Sequence, residues 1–260
     1  MIITASLGNS QIRLGIIDGD NIVLRENIST RPFRTEIEYA LLLQDVLKIR
    51  GIDPADIDGA VISSVVPQLT HVFREGMKLA AGVPPLVAGP GVKNGLKIGL
   101  DDPKSMGVDL AVNAVGALCV YEPPLILIDM GASTTISCLN GDGVFIGGMI
   151  LPGMLRSLDA LVSGAQTLPQ INMDPPERLI GTNTVDCMKS GVIYGQAAML
   201  DALTERLRED MKAQARVIAC GESARLVLPH CRTRITYDND LAVRGMKRIW
   251  EMNRPKGKKK

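Results

Sequence analysis

A chain of 260 residues can build two modest cores or one large one, and 46% hydrophobic with 22% charged residues and a net charge of +1 exclude a disordered chain or a strongly basic nucleic-acid binder. Five cysteines without CxxC or metal-ligand spacing predict free thiols. With no apolar stretch of the roughly 18 residues that span a bilayer, the expectation is an untargeted cytoplasmic protein without a membrane partner.

The first predicted element is the strand Ile2-Ile-Thr-Ala-Ser6, which runs into a polar glycine corner, Leu7-Gly8-Asn9-Ser10. An alternating strand to Ile17, the turn Asp18-Gly-Asp-Asn21 and a return strand complete a hairpin. Thr35 then precedes a helical pattern with Ile37, Leu41, Leu42, Val46 and Ile49 on one side, stopping at Gly51. Ala60–Val66 is nearly all apolar, as a strand covered on both faces would be, and Pro67 opens a helix to about Ala81. Leu86–Ala88 predicts another strand. Gly89 to Pro103 is rich in turn formers and reads as a long loop leading to a helix from about Lys104 to Val120.

Pro123-Pro124 separates the halves, giving expected domains at 1–120 and 121–253 with a basic tail, 254–260, expected to be disordered. The second half opens with Leu125-Ile-Leu-Ile-Asp129-Met-Gly131-Ala132-Ser-Thr-Thr135, then a strand, a turn at Asn140-Gly-Asp-Gly143 and a return strand. A long helix follows from Thr184 to about Lys212, in which Gly191 and Gly195 predict close packing against another backbone. Arg216–Ala219 and a segment near Ile235 predict strands with a short helix between them, and the last helix runs from Asp240 to about Asn253.

The two halves carry the same hairpin. Aligning Ser6 with Asp129 places Gly8 on Gly131 and brings the hairpin turns within a residue of each other. A glycine at such a corner lets backbone N–H groups approach a phosphate, and Asn9, Ser10, Ser133, Thr134 and Thr135 add side-chain donors. Two such corners suggest two domains gripping one phosphate chain. Phosphoryl transfer also needs charge stabilisation and a base for the acceptor. Asp129, at the end of an apolar strand, suits a hard cation, although an aspartate there also simply initiates turns. Asp109, early in a helix after the long loop, can accept a hydroxyl proton, and equally can complement the helix dipole.

Over nearly its whole length the chain resembles the type III pantothenate kinases, of the acetate kinase, sugar kinase, Hsp70 and actin superfold. The resemblance rests on Gly8-Asn9, Ile62-Ser-Ser-Val-Val-Pro67, Gly89-Pro-Gly-Val-Lys-Asn-Gly95, Gly107-Val-Asp109, Asn113-Ala114, Asp129-Met-Gly131, Gly147-Gly148, Pro152-Gly153, Leu168-Pro169, Asn183-Thr-Val185 and Ser190-Gly191 through Tyr194-Gly195. It implies an α/β chain of two duplicated ribonuclease-H-like (actin-like ATPase) domains, each a mixed sheet flanked by helices. The implied reaction is ATP-dependent phosphorylation of pantothenate in the first step of coenzyme A synthesis, with magnesium and a monovalent cation, potassium or ammonium, as cofactors. Asp109 falls on the family's proton acceptor, and Leu100, Gly107, Val108, Leu110 and Thr184 fall on substrate contacts. ATP is implied at Ser6, Leu7, Gly8, Asn9, Ser10, Gln11, Ile12, Arg13 and Ala132, and potassium at Asp129. A homodimer with pantothenate near its interface is also implied.

The chain departs from the family at Ser6, where an aspartate is usual, at Ala132 for threonine, at Leu100 for tyrosine, and at Cys220-Gly221-Glu222 for Thr-Gly-Gly. Leu110 stands where many members have arginine. Ser6, Ala132 and Glu222 together define the alternative, a catalytically impaired paralogue that binds ligand or partner without turnover. Leu100 suggests a further one, a different small alcohol as acceptor.

Overall fold

The computed structural model describes residues 1–254 and groups them into two compact units. Met1–Leu96, Asp101–Val120 and the described residues from Asp240 to Arg254 form the first; Lys97–Leu100 and Tyr121–Asn239 form the second. The last helix therefore packs with the first unit rather than with residues 121–239, and the division expected at 120/121 differs there. The basic tail, from Pro255 on, lies outside the described residues.

In the first unit, strands β1 (Ile2–Leu7), β2 (Gln11–Asp18) and β3 (Asn21–Ser29) form an antiparallel meander, and β4 (Gly59–Ser64) and β5 (Leu86–Val87) extend it in parallel, in the order β3-β2-β1-β4-β5. Strand alternation sends Ile3, Ala5 and Leu7 to one face, where they meet helices α1 (Glu36–Ile49) and α2 (Pro67–Ala81). Ile2, Ile17 and Val61 point to the other face, against α3 (Val108–Leu118) and α7 (Leu241–Asn253).

Thr35 begins α1 with a reciprocal capping box: Thr35 N donates to Glu38 Oε2 (2.7 Å) and Glu38 N donates to Thr35 Oγ1 (3.4 Å). The buried stripe of α1, however, is Tyr39, Ala40, Leu43 and Leu47, whereas Ile37, Leu41 and Ile49 are 59%, 55% and 79% exposed. Gly76 of α2 decides this. A Cβ there would lie 2.7 Å from Glu36 O and 2.8 Å from Tyr39 Cβ, so α2 presses its backbone onto that stripe of α1. Helix α3 and α7 cross in the same manner: a Cβ on Gly116 would fall 1.9 Å from Leu241 O, and one on Gly245 would fall 2.0 Å from Val112 O.

Helix α3 starts at Val108, later than the expected Lys104. Pro103–Ser105 instead forms a 3-10 turn capped by Asp102, and Met106 and Gly107 are extended. The loop before it contains a short strand, β6 (Lys97–Ile98).

The second unit repeats the order of the first. Strands β7 (Leu125–Met130), β8 (Ser133–Leu139) and β9 (Val144–Pro152) form the meander, and β10 (Arg216–Cys220) and β11 (Ile235–Tyr237) add in parallel, giving β11-β10-β7-β8-β9-β6. Parallel pairing of β6 with β9 was not readable from the sequence, because two half-polar residues carry no periodicity. One sheet face packs Ile126, Ile128, Met130 and Ile136 against α5 (Thr184–Asp210), α6 (Ala224–Val227) and Met154, the first residue of α4 (Met154–Ser163). On α5, a Cβ at Gly191 or Gly195 would meet nothing within 4 Å, so the expected backbone contact does not occur at either glycine within the described chain.

Candidate active site

The first corner is the tight connection from β1 to β2. Gly8 N donates to Gln11 O (2.9 Å), and a Cβ on Gly8 would sit 2.9 Å from that same oxygen. Thr30, buried at the end of β3, clamps the corner from outside: its Oγ1 donates to Gly8 O (2.7 Å) and its N–H to Ser10 O (3.0 Å). Asn9 and Ser10 are exposed, Ser6, Gln11 and Arg13 half-buried. Leu7 and Ile12 turn their side chains into the core, which leaves only their backbone for a ligand. Ser6 pairs in register with Arg13 on β2 and with Ser63 on β4, so the three side chains form one row across the sheet. That row lies on the face covered by α3 and α7, since Ile2, Ile17 and Val61 share its parity.

Asp109 occupies the first turn of α3, the helix packed on that face, and is half-buried with Gly107, Val108 and Leu110. Gly107 is the N-cap and has no side chain to spare: a Cβ there would fall 2.6 Å from Asp109 Oδ1. The first unit thus gathers Ser6, Arg13 and the 107–110 turn on one side of one sheet.

The second corner is made almost wholly of backbone. Asp129 is the fifth residue of β7, half-buried with its Oδ1 shielded, and pairs with Thr135 of β8 and Cys220 of β10. Gly131 N donates to Ser133 O (3.1 Å) across the turn that holds Ala132. Gly153 presses on this turn, as a Cβ there would lie 2.4 Å from Ala132 O and 2.5 Å from Gly131 O. Gly221, with φ +93°, presses equally on Met130, and its N–H is taken by Asn239 Oδ1 (2.9 Å). Gly153 is also the N-cap of α4 and brings no side chain to that helix terminus, so α4 begins at the Ala132 turn without a side-chain cap. Backbone amides around a glycine corner and a helix N-terminus suit phosphate oxygens.

Leu100 follows β6 at the edge of the second sheet, half-buried, with Gly99 N donating to Phe145 O (2.8 Å). Thr184 is exposed at the start of α5 beside its N-cap Asn183, and lines a groove of about 530 Å³ with Ser157, Leu161, Leu168, Cys187 and Met188. Within their unit, Asp129 and Ala132 come together, whereas Leu100 is not among the residues lining the Thr184 groove. All five cysteines are free. Burial pushes the Cys138 and Cys231 thiols up to about 11, so neither supplies a thiolate at neutral pH. Among the described residues, no group of three or more His, Cys, Asp or Glu is arranged to hold a metal ion, and no helix is long and apolar enough to cross a membrane.

Residues 2–206 match the family model described as type III pantothenate kinase. The chain belongs to the type III pantothenate kinase family. A type III pantothenate kinase of Pelobacter propionicus is 38% identical over 254 residues, covering 98% of this chain and all of that protein. One from Halalkalibacterium halodurans is 36% identical over 253 residues, 97% of this chain and all of that one. Among solved structures, the (R)-2-hydroxyglutaryl-CoA dehydratase component A of Acidaminococcus fermentans superposes with a TM-score of 0.56 at 12% identity, covering 96% of each chain, a likeness of fold alone. The fold is the expected α/β one of actin-like ATPases and sugar kinases, with two mixed sheets flanked by helices. Family membership makes the protein a kinase that uses ATP. The alternative of a non-catalytic paralogue gains no support from these relatives.

Sequence reasoning missed Thr30 and Ser63. Ser63 lies in the Ile62–Pro67 stretch and follows from aligning β4 with β1, but Thr30 has no local signal. Its role follows from where β3 ends.

Proposed function

We propose that the protein transfers the γ-phosphoryl group of ATP to the primary hydroxyl of pantothenate, giving 4'-phosphopantothenate and ADP in the first step of coenzyme A synthesis. The observation that carries this reading, beside the family, is Asp109 in the first turn of α3, on the sheet face that bears Ser6 and Arg13. Asp109 accepts the hydroxyl proton as the hydroxyl oxygen bonds to the γ-phosphorus and the bond to the β-phosphate oxygen breaks. The corners at Gly8 and at Gly131-Ala132 hold the phosphates, mainly through backbone amides, and Gly107, Val108, Leu110, Leu100 and Thr184 contact the acceptor.

Asp129, a half-buried carboxylate beside a phosphate corner, fits a monovalent cation such as potassium or ammonium. Ser6 fits magnesium only through a hydroxyl or a water, so the ion is expected to arrive on the ATP phosphates, where it neutralises charge. A homodimer is supported by exposed apolar side chains of the second unit: Leu161, 44% exposed, lines one groove with the open Gly191 and Gly195, and Ile150 and Leu155 are 78% and 53% exposed. The protein is proposed to act in the cytoplasm.

The test is formation of phosphopantothenate from ATP with magnesium and potassium present. Wild-type product with none from Asp109→Asn supports the reading. Wild-type yield no higher than that of Asp109→Asn would refute it.

A further inference from the structure

Helix α7 ends on a side chain that reads the backbone of a distant loop. Asn253 Oδ1 accepts from Lys93 N (3.1 Å) and its Nδ2 donates to Lys93 O (2.7 Å), so the amide closes a two-bond ring with one residue, as a neighbouring strand would. The second hydrogen of Nδ2 goes to Ile249 O (2.7 Å), which fixes the side chain to its own helix. No other residue type of that length presents a donor and an acceptor side by side. The next turn of the loop is held too: Asn94 Oδ1 accepts from Leu96 N (3.0 Å), and a Cβ on Gly95, at φ +73°, would lie 3.0 Å from Met252 Cε.

The residues flanking this clamp lead to the proposed base. Val92 and Leu96, on either side of Lys93 to Gly95, pack against the apolar cluster of Val61, Val112, Val115 and Met246, and Val108 packs against the same cluster. Val108 precedes Asp109. The seat of the catalytic turn is therefore shared with a loop that α7 grips by its backbone.

We infer that Asn253 is a positioning residue for the acceptor side of the site, acting through Lys93 and the shared Val92, Leu96 and Val108 contacts on the turn that carries Asp109. The inference rests on the proposed role of Asp109 and the 107–110 turn. It assigns Asn253 no contact with substrate.

The test compares wild type with Asn253→Ala in pantothenate phosphorylation and in backbone hydrogen exchange. Losing two bonds to Lys93 is expected to raise KM for pantothenate about tenfold. KM for ATP should stay within about twofold, because the glycine corners are not touched, and amides of residues 92–96 and 108–110 should exchange faster. A merely structural role would lower Tm and leave both KM values unchanged, and that result overturns the inference. Should Asn253→Ala fail to fold, Gly95→Ala strains the same loop from the other side and is read by the same two measurements. Absence of wild-type turnover refutes the reading of function and leaves the exchange experiment to decide the clamp: unchanged exchange at 108–110 in the variant overturns it.

Discussion

Ser6 and Asp129 occupy the same place in equivalent strands. Each is fifth of six residues, half-buried between two buried neighbours, and each stands two residues before the glycine that turns the chain into the second strand of a meander. The two strands even share one burial pattern along their length. The difference between the corners is therefore chemical, a hydroxyl in one and a carboxylate in the other.

Replacing Ser6 by aspartate puts a carboxylate at the place in β1 that Asp129 holds in β7. A charge-assisted contact is worth about 1.5–3 kcal/mol, so Ser6→Asp is expected to lower the magnesium concentration for half-maximal turnover by about tenfold or more. Titrating magnesium at saturating ATP checks this; an unchanged midpoint would place the ion away from Ser6.

Asp129→Asn keeps the shape of the second corner and removes its charge. Stimulation of turnover by potassium over sodium is expected to disappear, while Tm changes little. Retained selectivity for potassium would move the cation site elsewhere.

Gly153 contacts the Ala132 turn so closely that any side chain must displace it. Gly153→Ala is expected to lower kcat/KM for ATP by roughly 10- to 100-fold, the effect of displacing a positioning group by about an ångström. Nucleotide binding measured by calorimetry should weaken in parallel, and wild-type affinity in the variant would show that the Ala132 turn does not hold phosphate.

The crossing of α3 and α7 predicts a coupled loss of stability. Gly116→Ala and Gly245→Ala each force the helices apart and are each expected to cost about 2–3 kcal/mol or more. Both side chains open the same contact, so the double variant should lose clearly less than the sum in denaturant unfolding. Strict additivity would mean that the two glycines act independently.

Arg25 donates from Nε and Nη2 to the two carboxylate oxygens of Asp240 (2.6 and 2.8 Å), and that hydrogen-bonded guanidinium holds the carboxyl below its ordinary range. A depressed carboxylate stabilises the fold above its unfolded pKa, about 3.9, and loses that contribution as pH falls through the lower folded value. Arg25→Ala should therefore lower Tm at pH 7 and narrow its gap to wild type as pH falls from about 5 to below 3. A gap that stays constant would show the pair to be energetically silent.

Local sequence determined most strands, the glycine corners and most helix limits, because these depend on neighbours along the chain: Thr35 with Glu38 caps α1, and Pro67 opens α2 at the expected residue. The duplication was legible for the same reason, as was the family. Tertiary structure alone decided the rest. Two apolar stripes on α1 were available, and Gly76 of α2 selected the one with Tyr39 and Leu43. The final helix joined the first unit because Gly245 could meet Gly116, a pairing between residues far apart in sequence. Thr30 and Asn253 acquired their partners in the same way, through polar side chains that reach backbone atoms no local pattern can reveal.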